Sequence, residues 1–437
     1  MLLRLELENW TSFREQATFS MVASREKRHR HRLPRVEKFR LTALPIAAIY
    51  GGNASGKSNY IRALSFMQRF VVRGIQPDAL IPIKPFLLDP TWANSPTRFN
   101  IQLLINELVY ELSFAINTHK VLEESLVRMS SSRKTVLYQR TADSIEFDQQ
   151  LLQGEEQANF LRFAFKGTRD NELFLTNSVS QRIDLFKPVY EWFRDRLYII
   201  HPDSTFAAFH LLTPGSSPWA DQVSQALLNL DTGITGLEMQ EMKLDDLLLS
   251  SEGMTQLEET VSQQKTVLVS NQRSQPVCVS LGDDGRLVAG RLVARHNRSD
   301  GSEMIFEISE ESDGSQRLID LLPAFCDLSN EASQSIYVVD ELDRSLHTLL
   351  TRQLLEGYLA SCSAQSRSQL IFSTHDVLLM DQSLFRRDEM WVVERSHNGN
   401  SNLFSFSEYA EMRYDKDIRR SYLEGRLGGI PQLLIPS

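Results

Sequence analysis

The sequence LPIAAIYGGNASGKSN, residues 44–59, decides the fold. Residues 44–50 form a continuous apolar run of strand length, and residues 51–58 fit the pattern G-x-x-x-x-G-K-[ST]. Apolar residues with helical spacing follow at Ile61, Leu64, Phe66 and Phe70. The sequence therefore predicts a buried strand, a glycine-rich turn and an amphipathic helix. The motif binds phosphate groups when it lies between such a strand and such a helix. The alternative is a glycine-rich turn that matches the motif by chance, and such a turn would need neither element.

The residue types in this loop suit phosphate chemistry. The glycines let backbone N–H groups surround a β-phosphate, and the N-terminus of the following helix adds the positive end of its dipole. Lys57 supplies a positive charge to the β- and γ-phosphates, and the Ser58 hydroxyl is a suitable ligand for Mg²⁺. The predicted nucleotide-binding residues are Gly51, Asn53, Ala54, Ser55, Gly56, Lys57, Ser58 and Asn59.

A second apolar strand, SIYVVDE at residues 335–341, ends in two acids. We expect Asp340 to hold Mg²⁺, either directly or through another ligand of the ion, and Glu341 to accept a proton from the attacking water. The alternative is a structural strand that ends in an acidic turn. Because the acid pair occurs together with a phosphate-binding loop, the sequence favours hydrolysis of a nucleoside triphosphate.

Three further motifs carry a family resemblance. Residues 311–317, ESDGSQR, resemble the signature motif of ABC ATPases; residues 340–347, DELDRSLH, resemble the Walker B motif and D-loop; and residues 371–376, IFSTHD, resemble the strand that ends in the switch histidine. The chain thus resembles ABC/SMC-type AAA ATPases. Within them it is similar to the abortive-infection and anti-phage defence group, related to the ATPase part of overcoming-lysogenization-defect proteins and to the PARIS-system ATPase subunit. The ending at residues 422–431 is similar to that group as well.

The resemblance implies an α/β fold, namely an ABC-type P-loop ATPase head with a mixed central sheet, an antiparallel β subdomain and an inserted, mainly helical subdomain. The expected division is residues 1–159 and 276–437 for the two lobes of the head and 160–275 for the insertion. ATP and Mg²⁺ are the expected cofactors. His375 is expected to contact the γ-phosphate and the attacking water, and a buried structural histidine is its alternative.

The resemblance also implies that two copies of the chain share each nucleotide. Ser312, Gly314 and Ser315 of one copy are expected to bind the γ-phosphate that is held by the P-loop of another copy. ATP would then join the chains head to tail in a dimer or a larger oligomer.

Two positions depart from the family pattern. His347 stands where many ABC D-loops have aspartate. No Q-loop glutamine can be assigned, because Gln68 and Gln102 are both candidates and neither has a persuasive context.

The charge distribution limits the partners. A formal net charge of −9 argues against a whole surface built to bind nucleic acid, since such binding neutralises phosphates with lysine and arginine. The run REKRHRHR at 25–32, followed by Arg35, Lys38 and Arg40, is the clearest basic stretch. It is either a solvated, mobile loop or a contact for nucleic acid or an acidic partner. With no apolar span and no targeting signal, we expect a cytoplasmic protein without membrane contact.

Three functions remain open. The resemblance favours a defence ATPase that senses a phage product and controls a separately encoded toxic effector, expected to be a nuclease because no second acidic constellation follows His375. An SMC-like DNA-repair ATPase that binds nucleic acid through Arg25–Arg40 is the alternative, although the segment between Lys57 and Ser312 is too short for a long coiled-coil arm. The nucleotide-binding subunit of a membrane transporter is the weakest of the three hypotheses, because the large insertion between the P-loop and the signature motif does not resemble transporter heads.

Overall fold

The computed structural model describes residues 1–202, 220–230, 232–247, 249–264, 266–270, 276–282, 284–409 and 418–425. Their contacts divide the chain into two compact units. The first comprises residues 1–201, 331–342 and 359–437, and the second comprises residues 202–330 and 343–358.

The strands, in chain order, are β1 (Leu2–Glu8), β2 (Ala17–Ser20), β3 (Arg35–Val36), β4 (Leu41–Thr42), β5 (Ile46–Tyr50), β6 (Thr97–Ile105), β7 (Leu108–Ile116), β8 (Val121–Met129), β9 (Lys134–Thr141), β10 (Ile145–Phe147), β11 (Leu197–Ile200), β12 (Ile234–Met242), β13 (Thr266–Ser270), β14 (Pro276–Leu281), β15 (Leu287–Asn297), β16 (Glu303–Glu307), β17 (Ile336–Val339), β18 (Gln369–Ser373), β19 (Met390–Arg395) and β20 (Ser401–Ser405).

The α-helices are α1 (Lys57–Arg73), α2 (Pro90–Ala93), α3 (Glu155–Lys166), α4 (Phe174–Ser180), α5 (Lys187–Glu191), α6 (Ala220–Asn229), α7 (Ser251–Gln264), α8 (Asp313–Leu328), α9 (Thr348–Ser361) and α10 (Ile418–Leu423). None of the helices in the described ranges is long and apolar enough to cross a membrane.

The central sheet of the first unit has the strand order β11-β17-β18-β5-β19-β20. Its first five strands pair in parallel, and β20 pairs antiparallel with β19, so the sheet is mixed. Strands β5, β17 and β18 are buried along their whole length, as expected for parallel strands covered on both faces. Their carboxyl ends lie at one edge of the sheet, which brings the motifs that follow them together.

A seven-stranded antiparallel sheet, ordered β10-β9-β8-β7-β6-β1-β2, forms the other part of the first unit. The apolar residues on either side of Asn106 and Glu107 predict a β-hairpin over residues 98–117, and strands β6 and β7 form it. Its turn residues Asn106 and Glu107 both have positive φ, as a two-residue hairpin turn requires. The mixed sheet and the antiparallel subdomain of the predicted fold are thereby confirmed.

The hydrophobic core of the first unit shows which residues belong to that unit. Helix α1 buries Ile61, Leu64, Phe66 and Phe70, the residues whose spacing predicted it. Residues of α3 and α4 join the same core. Since the segment 155–200 packs in this core, the second unit begins at residue 202 and not at the predicted 160. The sequence also predicts an amphipathic helix over residues 180–195. This prediction is wrong, because α4 ends at Ser180 and α5 begins only at Lys187.

The second unit is built on an antiparallel sheet of order β12-β15-β14-β13, with β16 on the free edge of part of β15. Helices α6 and α8 share one apolar cluster with β12 and β15, and α7 packs on β14 and β15 in another. The described residues of the predicted insertion 160–275 contain more helix than strand. However, β12 and β13 join β14–β16 in a sheet that extends beyond it.

Candidate nucleotide-binding site

The P-loop between β5 and α1 adopts a backbone that only glycine permits at two positions. Gly51 has φ 150° and Gly56 has φ 116°. A Cβ on Gly56 would lie 2.5 Å from Ser401 Oγ, and a Cβ on Gly51 would collide with the carbonyl oxygen of Val393. Both glycines are therefore required by local crowding as well as by φ.

Lys57 begins α1 and is buried at the base of the loop. Its Nζ donates to the carbonyl oxygens of Gly51 at 2.7 Å and Gly52 at 3.2 Å, and lies 3.4 Å from His375 Nδ1. No described side chain caps the N-terminus of α1, so its first N–H groups are available to an anion.

Asp340 and Glu341 follow β17 and are held by Ser373 of the neighbouring strand β18. The Asp340 carboxylate is buried and accepts a hydrogen bond from Ser373 Oγ at 2.5 Å. The backbone N–H of Glu341 donates to the same Ser373 oxygen at 2.8 Å. Glu341 has φ 53°, in the left-handed region that is uncommon for residues other than glycine. This backbone is the kind of strain that structures retain at functional sites.

Replacing Ser373 by Ala is expected to lower the free energy of unfolding by about 1–3 kcal/mol, because the Glu341 N–H loses its acceptor and the buried Asp340 loses a donor. Urea denaturation measures this change. The control is Ser335→Ala, one residue before β17, and the free energy of unfolding of this variant is expected to stay within about 0.5 kcal/mol of the native chain. Equal stability of Ser373→Ala and the native chain would contradict this role for the hydroxyl.

His375 lies beyond β18, in front of Lys57 and Glu341. Its Nε2 is 3.9 Å from Glu341 Oε1, and its side chain is 38% exposed. The alternative of a buried structural histidine is therefore wrong.

One cavity of about 540 Å³ joins these groups, and all of its lining residues belong to the first unit. The predicted residues on its wall are Asn53, Ala54, Ser55, Gly56, Lys57, Ser58, Asn59, Glu341 and His375. Other residues complete it: Thr11, Ser12, Arg62, Lys84, Pro85, Phe86, Leu87, Leu88, Arg395 and Gly399.

The residues present fit a triphosphate with Mg²⁺. The P-loop backbone around Gly51 and Gly56 forms a cradle that a Cβ on either glycine would fill. The buried hydroxyl of Ser55 has no hydrogen-bond partner within the described part of the chain, so it can donate to a phosphate oxygen. The Ser58 hydroxyl and the Asp340 carboxylate are oxygen donors of the type that Mg²⁺ prefers.

The signature residues lie in the second unit, at the N-terminus of α8. Ser312 is exposed and caps this helix, because its Oγ accepts the Ser315 N–H at 3.2 Å. A Cβ on Gly314 would lie 2.9 Å from the Ser345 carbonyl oxygen, so the helix tip and the D-loop are in close contact. Contact of Ser312, Gly314 and Ser315 with a nucleotide remains a prediction.

Neither Q-loop candidate belongs to the site. Gln68 donates to the carbonyl oxygens of Phe193 at 2.8 Å and Leu197 at 2.6 Å, and Gln102 donates to Glu111 at 3.1 Å. Both glutamines hold neighbouring elements together.

Sequence reasoning missed His201, which follows β11 beside Asp340. The Asp340 N–H donates to the Ile200 carbonyl oxygen at 2.9 Å, and His201 Nε2 is 3.4 Å from Ser65 Oγ. Burial lowers the pKa of His201, and the positive charges of Arg62 and Arg69 lower it further against the opposing effect of Asp340. The apolar run LYII before this histidine was the available signal.

His347 at the unusual D-loop position has a structural role. Its Nδ1 accepts the Leu349 N–H at 3.2 Å, and its carbonyl oxygen accepts from Leu350 and Thr351. His347 therefore caps α9, a task that aspartate performs at many helix N-termini.

The basic segment 25–32 is not a freely solvated loop. Arg32 is buried and forms an ion pair with the buried Glu389. Arg386 donates to the carbonyl oxygens of Glu26 at 3.0 Å and Arg28 at 2.6 Å. The mobile-loop interpretation was wrong at these positions, whereas binding of nucleic acid or an acidic partner remains a prediction.

The resemblance to the defence group at residues 422–431 falls only partly within the described residues, since 426–431 lie outside them.

Comparison with known proteins places this site in a family. No curated protein matches the chain. Solved structures that are similar to it include two SMC heads. A SmcHead bound to the C-winged helix domain of ScpA is 13% identical and covers 92% of this chain and 97% of its own, with a TM-score of 0.39. The SMC head domain from Thermotoga maritima is 14% identical and covers 92% and 98%, with a TM-score of 0.33.

A family profile gives the assignment, because it matches residues 46–381, from the P-loop strand to beyond His375. The chain belongs to the family described as "AAA domain, putative AbiEii toxin, Type IV TA system".

Proposed function

We propose that this chain hydrolyses ATP, that ATP joins two copies of it head to tail, and that this cycle controls a separately encoded toxic effector in anti-phage defence. The carrying observation is the convergence of Lys57, Glu341 and His375 on one cavity. His375 lies between the other two, with its Nδ1 3.4 Å from Lys57 Nζ and its Nε2 3.9 Å from Glu341 Oε1.

Each residue of the cavity has a separate role in the proposed hydrolysis of ATP. The N-terminus of α1 and Lys57 bind the β- and γ-phosphates. Glu341 accepts a proton from the attacking water, while His375 orients that water and the γ-phosphate. Ser58 and Asp340 are the residues that would hold Mg²⁺, which when bound would neutralise phosphate charge. Ser373 keeps both acids in place through its two hydrogen bonds.

The second copy completes the site through its signature helix. Ser312 is exposed at the N-terminus of α8, where the helix dipole favours an anion. A γ-phosphate bound by this terminus would bridge two chains, and its release would weaken the dimer.

The family description supports the biological role. It names the AbiEii toxin and a type IV toxin–antitoxin system, which favours abortive infection as the setting. In this proposal a phage product is the trigger and a nuclease is the effector.

The test combines mass measurement with co-purification. The chain is expressed with the product of its neighbouring gene, and the mass of the purified species is measured with and without Mg–ATP. We expect a doubled mass for the chain with ATP and recovery of the neighbour. A chain that stays monomeric in every nucleotide state would refute the dimer, and strong nuclease activity of the isolated chain would refute the separate effector.

An SMC-like DNA-binding ATPase remains the second candidate, favoured by the anchored basic segment. Arg25, Lys27 and Arg30 are exposed and form no ion pair among the described residues, so their charges remain available to phosphates. DNA affinity that falls steeply with salt and is lost when these three residues are neutralised would select this function. Arg32 is unsuitable for that test because it is buried against Glu389.

A further inference from the structure

We propose that the segment Lys84–Leu88 binds the purine base of the nucleotide whose phosphates lie at the P-loop. This inference rests on the proposed function, since it assigns a subsite of the same cavity. Leu87 and Leu88 are 69% and 65% exposed, and both line the cavity that contains Lys57. Adjacent exposed leucines on a cavity wall mark a surface that an apolar ligand group can cover.

The segment is held in place by backbone contacts. The Phe86 side chain is buried, and its N–H donates to Asn9 Oδ1 at 2.9 Å. The Thr11 N–H donates to the Lys84 carbonyl oxygen at 2.7 Å. Leu88 packs so closely on Gly399 that a Cβ on this glycine would overlap its Cδ1 atom. The two leucines are thus presented on a preformed support, which reduces the entropy lost when a ligand binds.

The polarity of the cavity matches the two ends of a nucleotide. Its cation, helix N-terminus and acid surround the P-loop, whereas Pro85, Leu87 and Leu88 contribute apolar surface from a different segment. A nucleotide likewise has an anionic end and a base with a flat apolar face. The base can cover the leucines while its edge stays near polar groups such as Asn53 and Arg395, which line the same cavity.

The experiment compares ligands that differ only in the nucleoside. Mg–ADP and inorganic pyrophosphate are titrated calorimetrically into the native chain, the double variant Leu87→Ser/Leu88→Ser, and the control Leu80→Ser. Leu80 is 60% exposed in the same connection but does not line the cavity. We expect the double variant to bind ADP about tenfold or more weakly, from the loss of two buried apolar contacts. Its affinity for pyrophosphate should stay unchanged, and the control should match the native chain.

The outcomes separate a subsite for the base from a contact between two copies of the chain. An unchanged ADP affinity in the double variant, or equal losses for ADP and pyrophosphate, would overturn the proposal. Loss of ATP-dependent dimerisation with full ADP affinity would also overturn it and would assign the leucines to a contact between copies. Lys57→Ala should weaken both ligands together. If it weakens neither, the proposed phosphate site fails, whatever the leucine variants show.

Discussion

Glu341→Gln is expected to lower the rate of ATP hydrolysis by about 10²–10⁴-fold while ATP still binds, the loss typical for removal of a positioned general base. Glu341 faces the cavity, 3.9 Å from His375 Nε2. Glutamine keeps the shape of the side chain but cannot accept the proton of the attacking water. Phosphate release under saturating Mg–ATP measures the rate, and light scattering measures the accumulated ATP-bound dimer.

The matched control for this variant is Glu394→Gln on β19. Glu394 is also half-buried in the first unit but does not line the cavity. Its rate should equal that of the native chain. A Glu341→Gln chain that hydrolyses ATP at the native rate would show that another residue is the base, and His201 beside Asp340 would be the next residue to replace.

The central part of the fold could be predicted because its strands are buried on both faces. Residues 46–50, 336–339 and 370–372 are continuous apolar runs. The predicted site residues follow close to the carboxyl end of each run. Each motif therefore has a local signal in the sequence. Parallel pairing then brings Lys57, Glu341 and His375 together, although they are far apart in the chain.

The parts that could not be predicted depend on partners distant in sequence. Arg32 is buried because Glu389, 357 positions later, is buried beside it, whereas charge runs are usually solvated. Apolar and polar residues alternate only weakly along β12, so its sequence does not identify it as a strand. Its pairing with β15 does. Leu87 and Leu88 belong to a connection without regular structure, so their place on the cavity wall follows from tertiary contacts alone.

Lys57→Ala is expected to weaken ATP binding by about 100-fold or more, because charge-assisted hydrogen bonds to two phosphate groups each contribute about 1.5–3 kcal/mol. Lys57 Nζ donates to the carbonyl oxygens of Gly51 and Gly52, which hold the amine at the base of the glycine cradle. Calorimetric titration with Mg–ATP measures the affinity.

The fold should survive this change, since the glycine geometry and the strands on either side do not depend on the amine. Thermal unfolding without nucleotide tests that point, and Lys166→Ala on the exposed end of α3 controls for the loss of one positive charge. ATP binding of native strength in a folded Lys57→Ala chain would contradict the phosphate site. Because the bridging γ-phosphate depends on that site, the proposed head-to-tail dimer would then lose its physical basis as well.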